Sequence, residues 1–256
     1  MRPPGHPDSD TPSPRPLRGP AAEIRAFVTA ALFQPVPRDH WQEPRAVRRR
    51  RVVSAVTLVI GAILLAVGLR FPPGDPRFYY ATLALAAVWI VGAFASGPLH
   101  LGHAWTRRGH VGRPVVQSLA LAALLVALFL AGAVVVARIP LLRGPVDELL
   151  DHARVGSLPL VAFVTLVNGI GEELYFRGAL FAAAGRRHAV AITTVLYILL
   201  TLGSGVPLLV LAAGLLGLVT GMQRRVTGGV LGPILVHCAW SMSMLLLLPP
   251  LLDALR

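Results

Sequence analysis

The sequence predicts an all-α, polytopic membrane bundle of about seven transmembrane helices, and three observations carry that prediction. Hydrophobic residues make up 55% of the 256-residue chain and charged residues only 14%; a soluble fold of this length has too little interior to hide that much apolar surface. The apolar residues fall in runs close to the ~20 residues that a helix needs to cross a hydrocarbon core. The basic residues, all of them arginine, stand mostly between those runs.

Residues 1–51 are rich in proline and arginine. Only Ile24 to Phe33 shows a periodic apolar pattern, which reads as a short surface helix, and the rest is expected to be a largely disordered cytoplasmic tail. It does not read as a cleavable signal, because the first long apolar run comes late and lacks a small-residue cleavage pattern. Residues 52–256 form the bundle. Seven apolar segments are expected, at Val52 to Leu69, Phe78 to Ser96, Val115 to Ala137, Ser157 to Ala184, Ala189 to Leu202, Val206 to Met222 and Val230 to Ala254. The fifth is short, and Pro249 and Pro250 are expected to break the last. The acidic stretch Val146 to Arg154 carries Leu149 and Leu150 and is read as lying along the interface. Gly214, Gly217 and Gly221, spaced by three and four, predict close helix contact on the sixth segment.

Orientation follows from the arginine bias of the loops. With the tail inside, the cytoplasmic side holds Arg48 to Arg51, then Arg107, Arg108 and Arg113, then Arg186 and Arg187, then Arg224 and Arg225. The opposite loops mix arginine with Asp75, Asp147, Glu148 and Asp151. The net charge of +12 therefore points to an anionic leaflet and the lipid bilayer as partner. Nucleic acid is excluded, since no basic stripe interleaved with aromatics is present. The single cysteine, Cys238, forbids an intrachain disulfide. Neighbours on a helix point about 100° apart, so Cys238 and His237 do not form a thiol-imidazole pair. His100, His103 and His110 lack tetrahedral spacing and are read as exposed loop residues.

One segment carries charge where apolar residues are expected: Gly171-Glu172-Glu173-Leu174-Tyr175-Phe176-Arg177-Gly178. Each such group costs about 2.5 to 3.5 kcal/mol at the bilayer centre. Glu173 and Arg177 are four apart, share a helix face and neutralise each other, so a structural ion pair is expected there. Glu172 is rotated by about 100° and has no partner at that spacing. It is read as the free carboxylate, placed to take a proton from water and return it to a leaving amine. Counting at 1.5 Å per residue from the cytoplasmic loops puts Glu172, Glu173, Thr201 and His237 at a common depth of roughly 18 to 21 Å. Tyr197 with Thr201, and His237 with Ser241, share helix faces able to point at the carboxylates. A common polar chamber is expected.

These residues resemble the CPBP intramembrane proteases, which include the CAAX prenyl-protein endopeptidases and bacteriocin-immunity relatives. The resemblance covers about residues 158–247. The family's EExxxR motif stands here as Glu172, Glu173 and Arg177, and its late HxxxN-type motif as His237 followed by Ser241. Thr227-Gly228-Gly229 also resembles the segment that leads into the family's last motif helix. The resemblance implies an integral protein of a bacterial-type plasma membrane, acting on a membrane-tethered protein or peptide from the cytoplasmic side. It implies Glu172 and His237 as catalytic residues activating water, Glu173 with Arg177 as their support, and a zinc-like divalent metal held by Glu172 and His237.

The chain departs from the family in its second and third motifs. The family's FxxxH is here Tyr197 and Thr201, and no histidine occurs from Ala189 through Val236. A metal would then have one imidazole and one or two carboxylates where three protein ligands plus water are usual. Ser241 replaces an amide, leaving Thr201 or Ser241 as single-hydroxyl oxyanion donors. Two functions stay open: an intramembrane endopeptidase, impaired or intact, and a non-catalytic member of the same fold acting in partner binding or immunity. A transporter is disfavoured, because the chain shows neither an inverted repeat nor paired broken helices.

Overall fold

The computed structural model describes residues 19–38, 40–72, 75–106, 109–139, 157–185 and 187–255. The stretch Val146 to Arg154, expected along the interface, lies outside them. Among the described residues there are eight helices: α1 (Pro20–Leu32), α2 (Pro44–Gly68), α3 (Pro76–Ser96), α4 (Val115–Val136), α5 (Leu158–Ala184), α6 (Ala189–Leu202), α7 (Pro207–Thr227) and α8 (Leu231–Ala254). A two-stranded antiparallel ribbon, β1 (Ala104–Trp105) with β2 (Val111–Gly112), links α3 to α4. Six helices, α2 to α5, α7 and α8, are long and apolar enough to cross a membrane. The seventh expected crossing, α6, has 14 residues and a length of about 21 Å, short of a ~30 Å hydrocarbon core.

Proline starts several of these helices where its missing N–H costs nothing: Pro20, Pro44, Pro76 and Pro207 all stand at their helix beginnings. At α3 the Asp75 side chain also accepts from the Arg77 backbone N–H at 2.8 Å, an N-terminal cap. Gly228 ends α7 in the left-handed region at φ 72°, which a residue with a Cβ rarely adopts. The break expected at Pro249 and Pro250 does not occur, and α8 runs on to Ala254. The two prolines sit in its final turns, where the carbonyls left without donors are few.

The short helix expected at Ile24 to Phe33 is present as α1. Helix α1 turns Ala31 and Leu32 inward onto Leu121, Ala122 and Leu125 of α4, Leu216 of α7 and Val236 of α8. Val28, Ala31 and Leu32 are spaced as one helix face, and that face finds a groove on the bundle. Helix α2 begins eight residues before Val52, so Arg48 to Arg51 form its early turns, as arginine's good helix propensity allows.

One end of the bundle gathers around this N-terminal region. Val36 N–H donates to the Val226 carbonyl at 3.0 Å, and Val230 N–H to the His100 carbonyl at 2.9 Å. Arg50 Nη2 donates to the Pro98 carbonyl at 2.9 Å and Arg51 Nε to the Ala183 carbonyl at 3.2 Å. We call this the tail end. Helix α5 runs through the centre, packed between α3 and α8 and close to α6 and α7. The glycine stripe of α7 makes the close contact its spacing predicts: a Cβ at Gly217 would lie 3.3 Å from Thr194 Cγ2, and one at Gly221 3.3 Å from Val190 Cγ1.

Candidate functional site

The central helix α5 holds the acidic motif at the point where its hydrogen-bond pattern changes. It is α-helical from Leu158 to Glu173 and π-helical from Leu174 to Leu180. Six consecutive residues, Tyr175 to Leu180, are all buried, more than a one-sided helix allows. The π-helical segment begins three residues after Gly171. Such segments are rare and occur often at functional sites. Trp89 of α3 packs on it, its ring 4.4 Å from that of Tyr175, and the Tyr175 hydroxyl donates to the Ser54 carbonyl at 2.6 Å.

Glu173 and Arg177 form the expected ion pair, with Arg177 Nη1 donating to Glu173 Oε1 at 3.0 Å and both side chains fully buried. The same oxygen lies 2.8 Å from His237 Nδ1. Sequence spacing paired His237 with Glu172; the structure gives it to Glu173, which α5 turns toward α8. A carboxylate at Nδ1 holds the proton on that nitrogen and fixes the ring's orientation. The guanidinium of Arg177 lies 5.1 Å from the Tyr197 ring centroid, a cation-π contact.

Glu172 is not the unpartnered acid expected. Its Oε2 accepts a hydrogen bond from the Tyr197 hydroxyl at 2.6 Å, the short distance of an O–H to carboxylate contact. Helix spacing alone hides this partner, because it comes from α6. Tyr197 had been placed on a face able to reach the carboxylates, and the signal for its role was a hydroxyl one turn before Thr201 in an otherwise apolar helix.

Glu172 and Tyr197 share a cavity of about 180 Å³ with Thr201, Ser204, Trp89 and Trp240. Leu65, Leu69 and Leu209 carry its walls toward the end of the bundle opposite the tail. Entry from the tail side, the cytoplasmic side in the arginine reading, is therefore not what this cavity offers. Of the residues expected in a common chamber, Glu172, Tyr197 and Thr201 line this cavity. His237 is 6% exposed and stands behind Glu173, outside the cavity walls, its ring 6.4 Å from that of Trp240. Ser241, half-buried one turn further along α8, is not in the walls either. The Thr201 hydroxyl donates to the Tyr197 carbonyl of its own helix at 2.9 Å.

A zinc-like metal does not fit these residues. Among the described residues no three His, Cys, Asp or Glu side chains converge as a metal site. Glu173 Oε1 is engaged by Arg177 and His237, and Nδ1 of His237 is turned to that carboxylate. Glu173 Oε2 is buried without a partner, but the Glu172 and Glu173 carboxylates fall short of the three protein ligands of a usual catalytic zinc site.

Residues 154–243, about a third of the chain, match the family described as type II CAAX prenyl endopeptidase, Rce1-like. The match spans the acidic motif of α5, all of α6 and α7, and the part of α8 that carries His237 and Ser241. No curated protein and no solved structure matches the chain. The chain is an integral membrane protein with six candidate spans, and its residues 154–243 are similar to the Rce1-like, type II CAAX prenyl endopeptidase family.

Proposed function

We propose that this protein is a glutamate-dependent intramembrane endopeptidase that cleaves a membrane-tethered protein or peptide. The observation that carries the reading is the Glu172 carboxylate, set in a cavity inside the bundle with one oxygen held by Tyr197. Tyr197 fixes the carboxylate plane and leaves Oε1 to take a proton from water. That water adds to the scissile carbonyl, and Glu172 returns the proton to the leaving amine as the C–N bond breaks. Glu173, Arg177 and His237 form a buried triad beside the cavity that holds α5 against α8 and keeps Glu172 in place. His237 acts through Glu173 in this scheme, as a positioning residue.

The test is peptidase activity of the full chain in proteoliposomes on a lipid-anchored, internally quenched peptide set. Glu172→Gln should lower the rate by about 10² to 10⁴, the usual contribution of a general base, with melting unchanged within about 1 kcal/mol. Wild-type cleavage that survives intact in Glu172→Gln overturns the reading.

A second reading has one observation in its favour. Thr201 stands where the family motif has histidine, and its hydroxyl is bonded to its own helix. A non-catalytic family member that binds a partner membrane protein, as in immunity, needs only the buried triad as a latch. No cleavage by the wild type in the same assay, together with co-purification of a partner that Glu172→Gln retains, would favour it.

A further inference from the structure

At the tail end of the bundle lies a second and larger cavity of about 550 Å³, bounded by the segment after α1, the starts of α2 and of the α3–α4 connection, and the ends of α5 and α7. Its polar walls are Arg38, Arg224, Arg225, His40, His100 and Gln42, and no Asp or Glu is among its described lining residues. Glu43, next in sequence to this wall, is exposed.

Two buried guanidinium groups, Arg224 and Arg50, meet here with no carboxylate against them among the described residues. Arg224 is 6% exposed; its Nε donates to the Arg177 carbonyl at 2.6 Å, and its charge lies over the Phe181 ring at 5.1 Å. Arg50, directly behind the wall, is 1% exposed. It spends its nitrogens on Gln42 Oε1, Ser96 Oγ and the Pro98 carbonyl, all neutral acceptors. A buried cation without a counter-charge is costly, and neutral hydrogen bonds offset only part of that cost. The acids of the neighbouring triad do not relieve it, since Glu173 is engaged by Arg177 and His237. Among the described residues the cavity floor is thus positive and partly dry.

We infer that this cavity binds a phosphate group, held by Arg224 and Arg225 and walled by the stacked imidazoles of His40 and His100, whose ring centroids are 3.8 Å apart. The guanidinium fork matches phosphate oxygens two at a time. The volume lies within the range of small-ligand sites and exceeds what inorganic phosphate alone requires. Apolar walls from Val47, Leu99 and Phe181 fit a phosphate ester that carries hydrocarbon, as a lipid headgroup does. The site also lies among helix ends, the level at which headgroups sit. This site is independent of the peptidase reading and stands or falls without it.

The experiment is thermal melting of the full-length protein in nanodiscs. One arm compares phosphatidylcholine with phosphatidylcholine containing phosphatidylglycerol. The other, in phosphatidylcholine alone, compares sodium phosphate with sodium chloride at equal ionic strength. A rise of about 5 °C at saturation is expected in at least one arm, and the responding arm names the source as lipid or soluble phosphate. Arg225→Glu, an exposed rim position that leaves the core intact, should abolish most of the rise. Arg187→Gln, an exposed arginine of the same end outside the cavity, should keep it. Arg224→Gln should act like Arg225→Glu, and should it fail to fold, Arg225→Glu decides alone. No rise in either arm, or an equal rise in all variants, overturns the proposal by reducing the effect to general surface charge.

Discussion

The two cavities lie toward opposite ends of the same bundle and handle charge in opposite ways. Toward the far end, one carboxylate faces nearly apolar walls and is held by a single tyrosine hydroxyl. At the tail end, arginines crowd around walls that hold no described carboxylate. Between them, Glu173 and Arg177 neutralise each other in full burial, and His237 Nδ1 meets the same carboxylate. A charge in the middle of the bilayer has only protein to answer it, and so it is paired there. A charge near the helix ends is within reach of headgroups, water and soluble anions, and Arg224 and Arg225 face no described carboxylate in their cavity. The contrast separates a structural ion triad from two sites with capacity left over.

The largest effect should come from breaking the neutral middle. Arg177→Leu strands Glu173 in a fully buried position, and removing one partner of a buried pair costs about 3–5 kcal/mol. The expected result is a collapse of folded yield or melting temperature in mild detergent. Glu173→Leu combined with Arg177→Leu should recover much of it, because replacing both partners by apolar residues is often neutral. A double variant as unstable as the single one would show that His237, left without its carboxylate, carries much of the cost.

A smaller effect distinguishes the two hydroxyls of the far cavity. Tyr197→Phe removes the donor to Glu172, a net loss of about 1–1.5 kcal/mol. If that loss is felt in the transition state, it lowers the cleavage rate by about tenfold. Thr201→Val removes only a bond to the same helix and should change melting by less than about 0.5 kcal/mol, with activity retained. The reverse ranking in the peptidase assay would mean that the motif position of Thr201 matters and the contact seen for Tyr197 does not.

These residues also show what the chain discloses on its own. The i, i+4 spacing of Glu173 and Arg177 foretold their ion pair, since a helix leaves such a pair nowhere else to go. The depth count brought Thr201 to the level of Glu172 for the same reason. Rotation between helices is not encoded by spacing, and there the expectation failed: His237 meets Glu173, and Glu172 meets Tyr197. At the other end the apolar period of Ile24 to Phe33 foretold helix α1, whose Ala31 and Leu32 dock in one groove. Arg50 misled, counted as a loop charge although α2 carries it into the interior. Arg224 misled likewise, because the last turn of a helix reads as loop when only hydropathy is followed.

The smallest effect concerns pH at the basic end and sharpens the comparison most directly. His100, expected as an exposed loop residue, is partly buried against His40, and burial together with the charges of Arg224 and Arg50 lowers its pKa below the usual histidine value of 6.5. In the window just below that value the unfolded chain binds a proton that the folded chain resists. Stability from this group is therefore present in full above about pH 6.5 and is lost as pH falls toward the folded pKa. His100 is only partly buried, so the slope should be slight. His100→Gln should flatten it in melting scans between pH 7.5 and 5.5. A phosphate bound beside the ring would oppose the two arginines and favour the protonated form. Saturating phosphate or phosphatidylglycerol, whichever gives the melting response, should then shrink or reverse the wild-type slope and leave that of His100→Gln unchanged. The far cavity holds no histidine in its walls, so Glu172→Gln should leave this slope as it is. A slope that vanished in Glu172→Gln would place its origin at the wrong end of the molecule.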